Sequence, residues 1–243
     1  MNNKQYLNFT KTFLNTPNKN TFMQYKNLYI LGTSHIAKES TDKVRKLIES
    51  ENPPKIVCLE LDRDRLHSLL SGEQRKPKIT DILKIGIKAF IFATFAQWAQ
   101  NKLGKSVGMK PGAEMKIAYE LSQKNKIKIA LIDQHIQVTL KRLSKSLSWK
   151  EKLRFVYDLI TQPFSKKKMI KFDLRTVPSE KLIEEMMKEV KIHYPNFYRV
   201  LVEERNVYMA IRLKALIQKY PEDKILAVVG AGHVTEIVRL LDS

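Results

Sequence analysis

The chain has 243 residues and a formal net charge of +19, from 44 Lys and Arg against 25 Asp and Glu. Hydrophobic residues make up 43% and charged residues 28%, which excludes a disordered chain and is typical of a folded domain with a substantial core. The single cysteine excludes an internal disulfide framework, and the polar N-terminus lacks a signal-peptide pattern, so we expect a cytoplasmic protein. The positive charge would suit nucleic acid or an anionic membrane. However, the lysines are spread along the whole chain, which indicates a general lysine bias. We therefore do not expect a nucleic-acid partner.

The order of the predicted elements indicates an α/β fold, with a central sheet of parallel βαβ units flanked by helices and a helical insertion or cap. Residues 1–26 are polar and weakly patterned, which predicts a flexible lead-in. Residues 27–243 are predicted to form a single domain. The least periodic part of this domain predicts a helical insertion at about residues 144–195 rather than sheet.

The first βαβ unit is predicted near the N-terminus. The apolar strand Asn27–Leu31 runs into a glycine and ends in a Gly-x-x-His pattern at His35. An amphipathic helix over residues 37–51 and a second apolar strand, Ile56–Leu61, follow. Continuous apolar runs are typical of strands buried on both faces of a sheet. A connection of this length predicts that the two strands are parallel neighbours.

A glutamate, Glu60, closes the second strand. A carboxylate in this position is costly unless it is exposed, paired or bound to a metal. A salt bridge to a nearby arginine and a role as a metal ligand are therefore both open.

The most lipophilic segment of the sequence covers residues 85–99. It contains four closely spaced aromatic residues: Phe90, Phe92, Phe95 and Trp98. It is too short for a membrane span and includes Lys88, so a buried helix is favoured. The alternative is a lip that rests on a membrane or an apolar ligand, with nearby lysines at the lipid headgroups.

Two further carboxylates are predicted at notable positions. Glu114 lies in the first turn of a helix that ends near Lys124, where the helix dipole alone could explain it. Asp133 marks the end of a third apolar strand, over residues 126–133.

The last predicted strand covers residues 225–229 and runs into a second Gly-x-x-His pattern, which starts at Gly230 and places His233 where the turn closes. The long helix before it, predicted over Tyr198–Lys219, carries Glu204 and Arg205. Since the ligand sites of open α/β sheets lie beyond the carboxyl ends of the strands, both histidines are expected at one site. A packing or helix-start role for each histidine stays open.

The predicted strand ends therefore present two histidines and two carboxylates: His35, Glu60, Asp133 and His233. Imidazole and carboxylate ligands together can bind Zn, Mn, Fe or Co and leave a position for water. The sequence has no His-Glu-x-x-His motif, P-loop or Gly-x-Ser-x-Gly elbow, so these familiar catalytic signatures are excluded.

The ordered set of motifs resembles the archaeal type of the TraB/PrgY family, from about Tyr29 to Val238. The motifs are Leu31-Gly-Thr-Ser-His35, Leu59-Glu-Leu-Asp-Arg-Asp-Arg65, Lys110-Pro-Gly-Ala-Glu-Met115, Leu131-Ile-Asp133, Thr139-Leu-Lys-Arg142, Glu204-Arg-Asn-Val-Tyr-Met209 and Val228-Val-Gly-Ala-Gly-His-Val234. The family belongs with Tiki proteases, erythromycin esterase-like proteins and the haem-iron-binding ChaN group. TraB and PrgY proteins are tied to the shutdown of peptide pheromone signals.

This resemblance implies a metal-dependent peptidase fold with Mn or Co as the expected metal, and Zn or Fe as alternatives. It implies metal ligands at His35, His233 and Glu60. It implies catalytic pocket residues at Glu60, Arg205 and Glu114, with Arg205 clamping a carboxylate or stabilising an oxyanion. The remaining motif residues are expected to bind substrate: Asp133, Arg142, Glu204 and Tyr208.

Four functional hypotheses follow from these patterns. The first is a metal-dependent hydrolase acting on peptides, and the second is a non-catalytic module that binds a peptide, a metal or haem. The third is a regulator associated with an anionic membrane surface, which would use the segment from Phe90 to Trp98 and the basic surface. Many archaeal members of the family continue into a hydrophobic C-terminal membrane region, and these 243 residues depart from that pattern. Nucleic-acid binding is the fourth. Homo-oligomer formation through the insertion is left open.

Overall fold

Five strands form one mixed sheet in the computed structural model, which describes residues 22–33, 38–72, 112–161 and 180–243. In chain order the strands are β1 (Phe22–Tyr25), β2 (Leu28–Thr33), β3 (Ile56–Leu59), β4 (Lys128–Leu131) and β5 (Ile225–Gly230). Their spatial order is β1-β2-β5-β3-β4. Only the pairing of β1 with β2 is antiparallel among the described strands, so the predicted α/β fold with a parallel sheet is confirmed.

Helices connect and cover these strands. They are α1 (Lys38–Ile48), α2 (Arg63–Ser71), α3 (Ala113–Lys124), α4 (Ile136–Ser146), α5 (Trp149–Thr161), α6 (Glu180–His193), α7 (Pro195–Tyr198), α8 (Glu204–Lys219) and α9 (Val234–Asp242). A π-helical turn, Arg199–Glu203, joins α7 to α8, and a 3₁₀ turn, Ala231–His233, joins β5 to α9. Most of the described residues of the predicted insertion are helical.

The last strand of the sequence, β5, lies at the centre of the sheet. It pairs in parallel with β2 on one side and with β3 on the other, and all six of its residues are buried. The prediction that the first two apolar strands are neighbours is therefore wrong, although they do run parallel. The physical reason is that β5 is wholly apolar and is best shielded from water between two other strands.

The sheet packs against helices on both faces, because alternate residues of a strand point to opposite sides. On one face, Ile225, Ala227 and Val229 of β5 pack in a cluster with apolar residues of α8 and α9. On the other face, Leu226 and Val228 pack with apolar residues of α1 and α3. The two clusters together form the core that fixes the positions of the strand ends.

The N-terminal boundary differs from the sequence prediction. Phe22–Tyr25, placed within the lead-in, forms β1, and Phe22 is buried against Tyr29 with ring centroids 6.1 Å apart. The lipophilic segment at residues 85–99 lies outside the described residues. Among the residues that are described, no helix combines the length and the apolar character needed to cross a membrane.

Candidate functional site

Side chains from three strand ends and one helix meet at the carboxyl edge of the sheet. Glu60 directly follows β3, Asp133 follows β4, and His233 closes the 3₁₀ turn after β5. Arg205 reaches them from the first turn of α8. The sequence analysis expected three of these groups at one site from their strand-end positions, and the structure brings all four together.

Glu60 is buried, with 5% of its surface exposed. Its Oε2 accepts a hydrogen bond of 2.5 Å from the backbone N–H of Gly230. Its Oε1 accepts a hydrogen bond from Arg205 and lies 3.4 Å from Nε2 of His233. The buried carboxylate is therefore held by a peptide dipole from β5 and by a cation from α8, which together offset the cost of its burial.

Arg205 binds two carboxylates at once. Its Nε and Nη2 donate to the two oxygens of Asp133, at 3.1 Å and 2.6 Å, and Nη2 also donates to Glu60. Its Nη1 donates to the carbonyl oxygen of Leu201 at 3.1 Å. Burial alone would lower the pKa of Arg205, but the two carboxylates raise it above the usual value, so the guanidinium stays charged.

Asp133 stays ionised in this environment. Burial raises the pKa of Asp133, but the hydrogen bonds and positive charges of Arg205 and Arg65 lower it by a larger amount. The pKa therefore lies below its usual value. Its Oδ1 also accepts from the backbone N–H of Gln134 at 2.7 Å. The carboxylate therefore acts as the bridge between two guanidinium groups.

A π-helical turn, Arg199–Glu203, immediately precedes the helix that carries Arg205. The backbone N–H of Glu204 donates to the carbonyl oxygen of Arg199, five residues back, in place of the α-helical partner. Such turns are uncommon and often occur at functional sites, because they shift the register of the side chains that follow. The sequence pattern predicts an uninterrupted helix over Tyr198–Lys219.

The tautomer of His233 is fixed by Asn206, a residue that the sequence analysis missed. The Nδ1 of His233 lies 2.6 Å from Oδ1 of Asn206, and because this oxygen can only accept, Nδ1 carries the proton. The Nε2 of His233 lies 3.4 Å from Oε1 of Glu60 and 3.5 Å from Nη1 of Arg205. The imidazole is therefore oriented as it is in metal sites, where a second group holds the nitrogen opposite the ligand atom.

Asn206 has a detectable signal in the sequence. It lies on the buried stripe of α8 with Met209, Leu213 and Ile217, at positions that repeat every three or four residues. A polar residue at a core position of an amphipathic helix calls for a buried partner. Its Nδ2 has no hydrogen-bond partner within the part of the chain that the structure describes.

A second cation supports the cluster from α2. Arg65 donates to Asp133 and, through Nε, to Oδ2 of Asp62 at 2.9 Å. Asp62 is the N-cap of α2, where its Oδ1 accepts from the backbone N–H groups of Asp64 and Arg65. These three carboxylates and two guanidinium groups together carry one negative charge in excess, which favours a bound cation.

Three residues beside this cluster form a group that could hold a metal ion: Asp62, Asp64 and His135. Their ligand atoms all lie within 4.8 Å of one another. However, Nδ1 of His135 accepts from the backbone N–H of Gln137, which leaves the proton on Nε2, 3.2 Å from Asp64. The oxygens of Asp62 also already accept hydrogen bonds, so these groups are engaged in capping two helices.

The other predicted site residues lie at varied positions. Glu114 is buried in the first turn of α3, a helix that leads back to β4 and so begins at the carboxyl edge of the sheet. Arg142 donates from Nη2 at 2.6 Å, and also from Nε, to the carboxylate of Glu204, in a surface pair that joins α4 to α8. Tyr208 is half-buried on α8. His35 lies in residues 34–37, outside the described residues.

Residues 21–243 match the sequence profile of the TraB/PrgY/gumN family. The chain is 39% identical over 219 residues to the uncharacterized protein MJ1365 of Methanocaldococcus jannaschii, covering 88% of this chain and 53% of that protein. It is 28% identical over 236 residues to the TraB domain-containing protein of Mus musculus, covering 86% of this chain and 61% of that protein. The corresponding human protein has the same identity and coverage. The chain thus spans between about half and three fifths of these relatives' length.

Proposed function

Because the chain belongs to the TraB/PrgY/gumN family, we propose that it is a metal-dependent hydrolase that acts on peptides. The observation that carries the proposal is the pairing of His233 with Glu60. A buried imidazole nitrogen and a buried carboxylate oxygen lie 3.4 Å apart at the carboxyl edge of the sheet. Both are ligand atoms that Mn, Co, Zn and Fe accept.

The chemistry of His233 and Glu60 fits a divalent ion. Two bonds of about 2.1 Å to one ion place their ligand atoms roughly 3.0–3.4 Å apart, which agrees with the separation of Nε2 and Oε1. Asn206 holds the proton on the far nitrogen of the imidazole, which leaves Nε2 free to act as a ligand. A carboxylate oxygen has a second lone pair, so Oε1 of Glu60 can serve an ion while it accepts from Arg205.

His35 is the third ligand in this proposal. The strand that precedes it ends at Thr33, which pairs with Gly230 at the end of β5. The two Gly-x-x-His segments therefore leave neighbouring parallel strands at the same level of the sheet. This register supports a shared site for His35 and His233.

The bound ion would supply Lewis acidity towards a peptide carbonyl and would lower the pKa of water at the site. The residues of the chain hold and orient the groups around it. Arg205 fixes Glu60 and Asp133 and donates to Leu201, and its remaining Nη1–H faces Nε2 of His233, from which it would turn away once Nε2 holds the ion. In this proposal that N–H donates to the oxygen of the substrate carbonyl as negative charge develops on it.

The test is hydrolysis of a peptide library by the full chain with added Mn²⁺ or Co²⁺, together with a titration of free Mn²⁺ by electron paramagnetic resonance. We expect His233→Ala, His35→Ala and Glu60→Gln each to lower both Mn²⁺ affinity and turnover, by about a hundredfold or more. His67→Ala, at an exposed histidine on α2, is the matched control and should keep both.

A second variant separates the two candidate metal positions. Asp64→Asn combined with His135→Ala disrupts the group beside the cluster and should leave Mn²⁺ binding unchanged. If this variant loses the ion while the His35→Ala, His233→Ala double variant keeps it, the ion belongs to the Asp62, Asp64 and His135 group and the proposed ligand set is wrong.

A non-catalytic module that binds a peptide, a metal or haem is the second candidate. The observation that favours it is the pairing of Arg205 with both Glu60 and Asp133. This pairing disfavours proton uptake by either carboxylate. Saturable binding of Mn²⁺ or peptide without any product in the same assay would support this candidate over the hydrolase.

A further inference from the structure

A continuous apolar stripe is exposed along α5. Trp149, Leu153 and Tyr157 expose 70%, 68% and 66% of their surface. Because residues four apart in a helix lie on the same face, these three side chains form one row, which we call the α5 stripe. Large apolar side chains grouped in this way on a surface indicate a site of interaction.

Cationic side chains border the α5 stripe on both sides. At about 100° per residue, Lys150 and Arg154 lie on one flank and Lys152 lies on the other. The Nζ of Lys152 is 5.0 Å from the ring centroid of Trp149. Glu151, which lies between these cations in the sequence, is buried and accepts hydrogen bonds from Ser148 and Asn196.

We propose that the α5 stripe is a docking surface for an anionic lipid bilayer, with α5 lying in the plane of the interface. Trp and Tyr combine an apolar ring with a polar atom and partition to the level of the headgroups. Leu153 supplies apolar area to the acyl boundary, and the flanking cations reach the lipid phosphates. An apolar row bordered by Lys and Arg is the pattern of a helix that lies on a membrane.

Charge favours a lipid surface over a second copy of this chain. The flanks of the α5 stripe are cationic and the chain carries a net charge of +19, so two such faces would repel each other. An anionic bilayer matches both the apolar row and its cationic border. This inference goes beyond the proposed hydrolase and does not depend on it.

The position of α5 links the docking surface to the candidate site. Glu151 accepts hydrogen bonds from the backbone N–H of Asn196, at 2.7 Å, and from its side chain, at 2.8 Å. Asn196 lies in α7, which the π-helical turn joins to the helix carrying Arg205. A bilayer bound to α5 would therefore hold the site close to the membrane surface.

The test is flotation of the full chain with vesicles of phosphatidylcholine alone or of phosphatidylcholine mixed with phosphatidylglycerol. We expect binding only to the anionic vesicles. The triple substitution Trp149→Gln, Leu153→Gln, Tyr157→Gln should lower the partition coefficient by more than about tenfold. The matched control, Val138→Gln, Ile192→Gln, Ile211→Gln, removes three exposed apolar side chains from other helices and should bind as the unchanged protein does.

A charge comparison separates local docking from general attraction. Lys150→Gln, Lys152→Gln, Arg154→Gln should weaken binding by about a hundredfold. Lys46→Gln, Lys124→Gln, Lys214→Gln removes the same number of exposed charges elsewhere and should have little effect. Equal weakening by both triples would overturn the proposal in favour of a general polycation effect.

Fluorescence gives a second readout. In a Trp98→Phe background, Trp149 is the remaining tryptophan, so its emission should shift to the blue and be quenched by brominated lipid on binding. An unchanged emission with anionic vesicles would overturn the proposal. So would a dimer in solution, seen by analytical ultracentrifugation, that the α5 stripe substitutions dissociate.

Discussion

Two arginine–carboxylate pairs in this protein have the same chemistry in opposite environments. Arg205 donates through two nitrogens to Asp133 in the buried cluster, and Arg142 donates through two nitrogens to Glu204 at the surface. Charge pairs at the surface contribute little to stability, because water already solvates both partners. A buried pair that loses one partner leaves an uncompensated charge.

We expect Arg205→Lys to destabilise the fold by about 3 kcal/mol or more, because one ammonium cannot serve Glu60 and Asp133 with the same geometry. Urea denaturation followed by circular dichroism measures the free energy of unfolding. Arg142→Lys is the matched control and should produce only a small change. Equal effects of the two substitutions would contradict the assigned role of the buried guanidinium.

Asn206 offers a test of tautomer control in His233. Asn206→Leu removes the acceptor for the Nδ1 proton, so we expect Mn²⁺ affinity to fall by about 10- to 100-fold. Asn206→Asp keeps an acceptor oxygen at the same place and should retain most of the affinity. Nitrogen-15 NMR of the His233 ring identifies which nitrogen carries the proton. A ring proton on Nδ1 in the Asn206→Leu variant would show that another group sets the tautomer.

The sequence predicted which strand-end residues of the cluster lie together. Glu60, Asp133 and His233 follow apolar strands, and strand ends of a parallel sheet share one edge. A salt bridge from Glu60 to a nearby arginine was one of two open interpretations, and the observed partner is Arg205, which is distant in the sequence. Such a contact depends on how α8 packs on the sheet, which local pattern does not encode.

Glu151 joins α5, in the predicted insertion, to α7, which begins where the predicted insertion ends. Its Oε2 accepts from the backbone N–H and hydroxyl of Ser148, which caps the start of α5. Its Oε1 accepts from the backbone N–H groups of Asn196 and Phe197 at the start of α7. Burial raises the pKa of Glu151, but these donors lower it below the usual value, so the carboxylate is ionised in the folded protein.

We expect Glu151→Ala to destabilise the fold by about 1–2 kcal/mol, because it leaves the donors at the starts of α5 and α7 without their acceptor. Hydrogen exchange should then show faster exchange of the backbone N–H groups of Asn196 and Phe197. Glu185→Ala, at an exposed position of α6, is the control. Unchanged protection at both amides would mean that packing alone holds α7.

At the scale of elements, the positions of the strands in the sequence were easier to predict than their order in the sheet. The last strand was predicted over residues 225–229 and is observed over Ile225–Gly230, since an unbroken apolar run that meets a glycine has few other interpretations. The prediction that β2 and β3 are neighbours was wrong, because β5, which lies between them, comes from the far end of the sequence.

For the whole molecule, the carboxylates predict loss of stability in acid. The pKa of Asp133 lies below its usual 3.8 in the folded state, because the lowering by Arg205 and Arg65 exceeds the rise caused by burial. The unfolded chain therefore binds more protons as the pH falls, and stability should be constant near neutrality and decline below about pH 4. Urea denaturation at a series of pH values measures this trend.

The variant Asp133→Asn isolates the contribution of that carboxylate. It should be less stable at neutral pH, because Arg205 and Arg65 lose a charged partner, and its stability should fall less steeply in acid. A free energy of unfolding that rises as the pH falls below about 4 would contradict the depressed pKa of Asp133.

The central place of β5 also affects the order of events during protein synthesis. Its two neighbours, β2 and β3, have no hydrogen bonds to each other in the sheet and are translated long before it. Until residue 230 has left the ribosome, the nascent chain cannot close the sheet, and its apolar strand edges remain open to aggregation or to a chaperone. Early termination of translation should thus yield unfolded fragments rather than a smaller folded protein.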